Sequence, residues 1–96
     1  MSAPAQATKT NRVVIRNRRG LHARAAAKFV KLAGSYNAEV TVVKNETEVS
    51  GSSIMGLMML AAAPGCELEL RARGPAASAV LAALADLIAN KFDEDG

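Results

Sequence analysis

The chain has 96 residues, 50% hydrophobic and 22% charged, with two phenylalanines, one tyrosine and no tryptophan. That is one domain with an aliphatic core, too small for an enzyme with a deep enclosed pocket and too apolar for disorder over most of its length. The net charge of +3 conceals a gradient: eight basic and no acidic residues lie from Lys9 to Lys31, four basic and nine acidic after it.

A basic segment suits an anionic partner, yet its one aromatic, Phe29, offers little for base stacking, so no nucleic-acid partner is expected. No apolar run approaches the ~20 residues of a membrane span, so no membrane insertion is expected. The opening M-S-A-P-A-Q-A-T-K-T lacks an apolar signal-peptide core, and a cytoplasmic chain is expected. One cysteine, Cys66, and one histidine, His22, are too few for an internal disulfide or a metal site, so neither metal nor cofactor is expected.

Residues 1–10 read as a flexible tail, 11–92 as the domain and 93–96 as a frayed acidic end. Val13-Val14-Ile15 is β-branched and marks a strand. In Ala23–Ala33, Ala26, Phe29, Val30 and Ala33 follow i, i+3, i+4, i+7, an amphipathic helix stopped by Gly34, with Lys28 and Lys31 on solvated faces. A-E-V-T-V-V-K (38–44) is a strand, and Asn45-Glu46 turns into a short one near Thr47–Val49. Ser52 or Ser53 caps a short helix over I-M-G-L-M-M-L, with Leu57 and Leu60 facing inward. E-L-E-L-R-A-R (67–73) alternates strictly, giving a strand with one wet face. Gly74-Pro75 opens a last helix whose stripe is Ala77, Val80, Leu81, Leu84, Leu87 and Ile88. The order β-α-β-β-α-β-α predicts a two-layer α+β domain.

His22 stands in R-R-G-L-H-A-R, between a strand exit and the start of the first helix. At a helix N-terminus the backbone N–H groups of Ala23, Arg24 and Ala25 are unpaired, which is a ready anion site. Arg24 adds a planar fork that fits phosphate oxygens. Arg18 and Arg19 add positive potential, and Gly20 permits the turn. These surroundings favour a neutral, nucleophilic imidazole. No carboxylate is near in sequence to act as a base, and there is no Walker-type loop. Phosphoryl transfer to and from partners suits such a site better than hydrolysis of a small molecule.

G-L-H-A-R-A-A followed by S-S-I-M-G-L-M-M-L resembles HPr, the histidine phosphocarrier family of the bacterial phosphotransferase system, over roughly residues 11–90. The F-D-E-D ending is similar to the nitrogen-related branch, NPr. The resemblance implies an open-faced β-sandwich, a four-stranded antiparallel sheet with three helices on one face. It implies a monomer that is a carrier rather than an enzyme, phosphorylated by enzyme I on His22 Nδ1 and dephosphorylated by enzyme IIA-type proteins, with Arg24 steadying the phosphoryl group. Ser53 falls where many members carry a regulatory serine phosphorylated by HPr kinase/phosphorylase. Ile54, Met55 and Met58, with Ala27 and Lys31, would form the partner-docking surface. Ala25 stands where the family usually has proline, and Ser52 where a basic residue often precedes the serine. Two readings compete: a regulatory binding module that passes no phosphate, and a basic nucleic-acid-binding domain.

Overall fold

The alternation in E-L-E-L-R-A-R puts Leu68, Leu70 and Ala72 on one side of a strand and Glu67, Glu69, Arg71 and Arg73 on the other. That strand becomes one of the two centres of the sheet. The computed structural model describes residues 8–95. Its elements run β1 (Lys9–Val14), α1 (Ala23–Gly34), β2 (Glu39–Lys44), β3 (Thr47–Ser50), α2 (Ile54–Met59), β4 (Glu67–Arg73), α3 (Ala77–Ala89) and a 3-10 turn at Lys91–Asp93. The four strands form one antiparallel sheet in the order β1-β4-β2-β3.

Register follows from burial. Val13 lies opposite Leu68, and Val42 opposite Leu70, so the apolar face is continuous across the central strands. Phe29, Ala26 and Ala33 of α1, Leu57 of α2, and Val80, Leu84 and Ile88 of α3 close over it. The opposite face is wet and carries ion pairs, Arg12 with Glu67 and Glu69, Arg71 with Glu69 and Glu48, and Arg73 with Glu39. Each exposed pair contributes only ~0–1 kcal/mol, so the helix-covered face carries the stability. The fold is the expected open-faced sandwich. No helix among the described residues is long and apolar enough to cross a membrane.

Besides α1, which runs through Gly34 to a cap at Ser35 instead of stopping at the glycine, three boundaries differ from the sequence reading. Strand β1 begins at Lys9, inside the expected 1–10 tail, because Lys9 and Thr10 find partners in Ala72 and Arg71; the rest of that tail, residues 1–7, lies outside the described residues. Pro75 precedes the α3 N-cap, Ala76, instead of standing at the first helical position. The third correction matters most: the expected frayed end at 93–96 is folded back as far as Asp95. Lys91, Phe92 and Asp93 have φ of 58°, 55° and 61° in succession, a left-handed run that is costly for non-glycine residues. It is held because the Phe92 ring is fully buried and Lys28 Nζ donates to the Phe92 carbonyl at 2.6 Å. Lys28 is therefore half-buried rather than solvated.

Candidate functional site

The loop from Asn17 to Leu21 is built by its own hydrogen bonds. Gly20 N–H donates to the Asn17 carbonyl at 3.1 Å, His22 N–H to the Gly20 carbonyl at 2.9 Å, and Leu21 N–H to the Ala62 carbonyl at 2.9 Å. Gly20 has φ +66°, and a Cβ there would lie 2.3 Å from the Ala62 carbonyl oxygen. Only glycine lets this loop approach the segment after α2 so closely.

The loop delivers His22 as the N-cap of α1, in extended conformation and making no side-chain cap bond. Its ring is 16% exposed. The carbonyl of His22 accepts from Ala26 N–H at 2.8 Å, so the N–H groups of Ala23, Arg24 and Ala25 precede the first helical bond. Ala23 and Arg24 are exposed, whereas Ala25 is fully buried. The accessible part of the expected anion cradle is therefore Ala23 and Arg24, because Ala25 turns into the core beneath the first turn. Arg18, Arg19, Arg24 and Lys28 line one side of a groove of about 440 Å³, with Asp93, Glu94 and Asp95 on the other. Among the described residues, Arg18, Arg19 and Arg24 enter no ion pair within 4.0 Å.

A carboxylate distant in sequence does reach the histidine. Glu94 Oε2 lies 2.5 Å from His22 Nε2, across a separation of 72 residues. Its other oxygen, Oε1, accepts from Asn17 Nδ2 at 3.0 Å. Asn17 is fully buried, and the same Nδ2 donates to the Gly20 carbonyl at 2.8 Å. Burial pushes the Glu94 carboxyl up, but the hydrogen bonds from Asn17 and His22, the His22 charge and nearby Arg19 outweigh it and hold the group below the usual carboxylate range. Sequence reasoning missed both Asn17 and Glu94. The turn residue beside Gly20 was a local signal for the first; for the second, only the acidic ending hinted at a basic target.

Ser53 is the N-cap of α2, its Oγ accepting from Gly56 N–H at 2.9 Å. Leu57 and Leu60 are buried as expected, and Ile54, Met55, Met58 and Met59 are exposed, Met55 at 72% and Met59 at 78%. A helix of six residues has one inward stripe, and the other large side chains have nowhere to go. Met59 belongs to the patch although the docking set omitted it. Arg24, Ala27 and Lys31 are exposed along one strip of α1 at i, i+3, i+7. Helices α1 and α2 pack together, and the Leu21–Ala62 bond brings the end of α2 to the histidine loop.

Among the described residues no three His, Cys, Asp or Glu side chains cluster as metal ligands. A larger groove of about 880 Å³, lined by Tyr36, Glu39, Ser52 and Arg73 among others, lies elsewhere. Its charged groups, Glu39 and Arg73, are paired with each other at 2.5 Å.

Comparison with known proteins gives concordant results. The family model described as "PTS HPr component phosphorylation site" matches residues 9–90. A phosphocarrier protein HPr of Pseudomonas aeruginosa is 52% identical over 83 residues, covering 85% of this chain and 92% of the relative. A phosphocarrier protein NPr of Shewanella violacea is 44% identical over 88 residues, covering 91% and 97%. The crystal structure of HPr from Thermoanaerobacter tengcongensis superposes with a TM-score of 0.87 at 39% identity, covering 92% of this chain and 99% of that one.

Proposed function

Because the chain belongs to the HPr family, the phosphocarriers of the phosphotransferase system, we propose that His22 is the residue that carries the phosphoryl group. Enzyme I is the donor in this reading and enzyme IIA-type proteins are the acceptors, met in the cytoplasm. One observation carries it: the chain's single histidine caps α1 with its ring partly open to solvent, beside the helix-end N–H groups of Ala23 and Arg24. Arg24, exposed and in no ion pair among the described residues, supplies a bidentate fork to the transferred group. Ile54, Met55 and Met58 form the apolar surface on which partners sit, with Ala27 and Lys31 at its margin on α1.

Ser53 is the regulatory position in this reading, a substrate of HPr kinase/phosphorylase. Support comes from the family resemblance and from its half-buried hydroxyl at the edge of the patch. A phosphate there adds about −1.5 to −2 charges at pH 7. That charge is tolerated at a helix N-terminus, so it acts on the partner rather than on the fold.

The test is incubation with phosphoenolpyruvate and enzyme I. The expected result is a mass gain of one phosphoryl group, labile to acid and stable to alkali, that His22→Ala abolishes. Phosphate retained by His22→Ala would overturn the assignment.

A further inference from the structure

An ionised carboxylate can only accept hydrogen bonds. Glu94 Oε2 at 2.5 Å from His22 Nε2 therefore requires that Nε2 carry the proton. In the neutral ring the other nitrogen, Nδ1, is then left with its lone pair free. The carboxylate is itself oriented. Asn17 Nδ2 donates to both Glu94 Oε1 and the Gly20 carbonyl. Both are acceptors, so a flipped Asn17 amide would oppose oxygen to oxygen twice. Three side chains, from the β1–α1 loop, the helix cap and the C-terminal turn, thus form a chain of fixed polarity ending on the imidazole.

We propose that Glu94 is a positioning residue for phosphoryl transfer: its carboxylate, aimed by Asn17, keeps the His22 proton on Nε2 and so reserves Nδ1 as the nucleophile. This rests on the reading of His22 as the acceptor. In the step itself the Nδ1 lone pair attacks phosphorus and an N–P bond forms. The P–N bond to the donor's phosphohistidine breaks, and the leaving nitrogen takes that electron pair. The Nε2 proton stays in place, and the positive charge that the ring gains sits against Glu94. Return transfer to an acceptor runs the same sequence backwards. The logic is that of the carboxylate behind a catalytic histidine in hydrolase triads, where it fixes the tautomer and opposes the imidazolium charge without moving a proton.

The Asn17 bond makes the inference sharply testable. In Glu94→Gln the new amide must offer its oxygen to Asn17 Nδ2, which leaves its NH2 facing Nε2. That donor forces the proton to Nδ1 and blocks the nucleophile. In Glu94→Ala the ring is released to both tautomers. If Glu94 only packed the site, glutamine, equal in size and still bonded to Asn17, would be the milder change. The expectation is the reverse: Glu94→Gln slows phosphate acceptance by at least on the order of a hundredfold, a wrong tautomer in a hydrolase triad costing about 10⁴-fold, and Glu94→Ala by only several-fold.

Ring ¹⁵N–¹H correlation spectra of the full chain read the tautomer without any transfer reaction. They should show the neutral ring protonated on Nε2 in the wild type and on Nδ1 in Glu94→Gln. An Nδ1-protonated wild-type ring, or a glutamine variant at least as fast as the alanine one, would overturn the proposal. A wild-type chain with the expected tautomer but no phosphate on His22 would instead overturn the acceptor reading, and with it the role of the tautomer in transfer.

Discussion

Lys28 Nζ donates to the Phe92 carbonyl at 2.6 Å, and this bond joins the middle of α1 to a residue 64 positions later. Together with the burial of Phe92, it returns the end of the chain to the histidine, where Glu94 meets His22. One aromatic anchor holds this segment against the domain.

Phe92→Ala tests that anchor. Removing a buried phenylalanine costs about 3–5 kcal/mol in an interior position. A terminal turn can open locally without unfolding the domain, so the loss should fall near the lower end of that range. Denaturant unfolding measures it, and hydrogen exchange should show protection lost from residue 90 onward while β4 stays protected. Undiminished protection there would mean that Phe92 does not hold the turn.

Arg24→Lys keeps the charge but removes the planar pair of donors. Arg24 is exposed and forms no ion pair among the described residues, so melting temperature should be unchanged. The rate of phosphate acceptance should fall about tenfold while enzyme I binds as before. An unchanged rate would show that local charge alone serves the phosphoryl group.

Ser53→Ala should cost about 1 kcal/mol, the value of a lost N-cap, because Gly56 N–H loses its acceptor. Ser53→Asp keeps a cap and should leave the melting temperature little altered. It should nevertheless weaken phosphotransfer from enzyme I, with added salt narrowing the gap, since an acidic side chain then faces the docking partner. Met55→Asp should do the same without touching the cap. Wild-type rates in both aspartate variants would place docking away from α2.

Acid should weaken the link between the chain end and the site. The Glu94 carboxyl is held below its ordinary range in the folded protein, so its contribution is complete above the unfolded-state value of about 4.3 and is lost as pH falls through the lower folded-state value. The difference in unfolding free energy between wild type and Glu94→Ala should shrink as pH falls below about 4. A difference that does not respond to acid would mean that the carboxylate is not ionised against its partners.

The fold was legible because its signals are local. Alternation in 67–73 fixed the face of β4, the 3.6-residue period fixed the buried side of α1, and the Ser52-Ser53 pair announced the start of α2, the structure choosing Ser53 as its cap. The N-cap placement of His22 was legible for the same reason, from the turn glycine and the apolar period that follows. What could not be read were pairings set by tertiary closure. Nothing near Phe92 distinguishes it from a solvated terminal residue, and three left-handed non-glycine residues run against every local preference. Glu94 becomes a partner of His22 only once α3 has crossed the sheet. Ala25 likewise looked like a third cradle residue until packing buried it.

The contact between the histidine loop and the segment after α2 also bears on traffic. With Leu21 bonded to Ala62 and no Cβ at Gly20 to separate them, the histidine loop and the segment that follows the methionine-rich α2 are held in direct contact. Any protein that reaches His22 also meets the end of α2. If His22 is the acceptor and α2 the docking surface, as proposed, donor and acceptor compete for a single berth. On that reading each delivery requires a departure, and the dissociation rates of the partners enter the flux beside the chemistry. A substitution that tightened either complex would slow the relay.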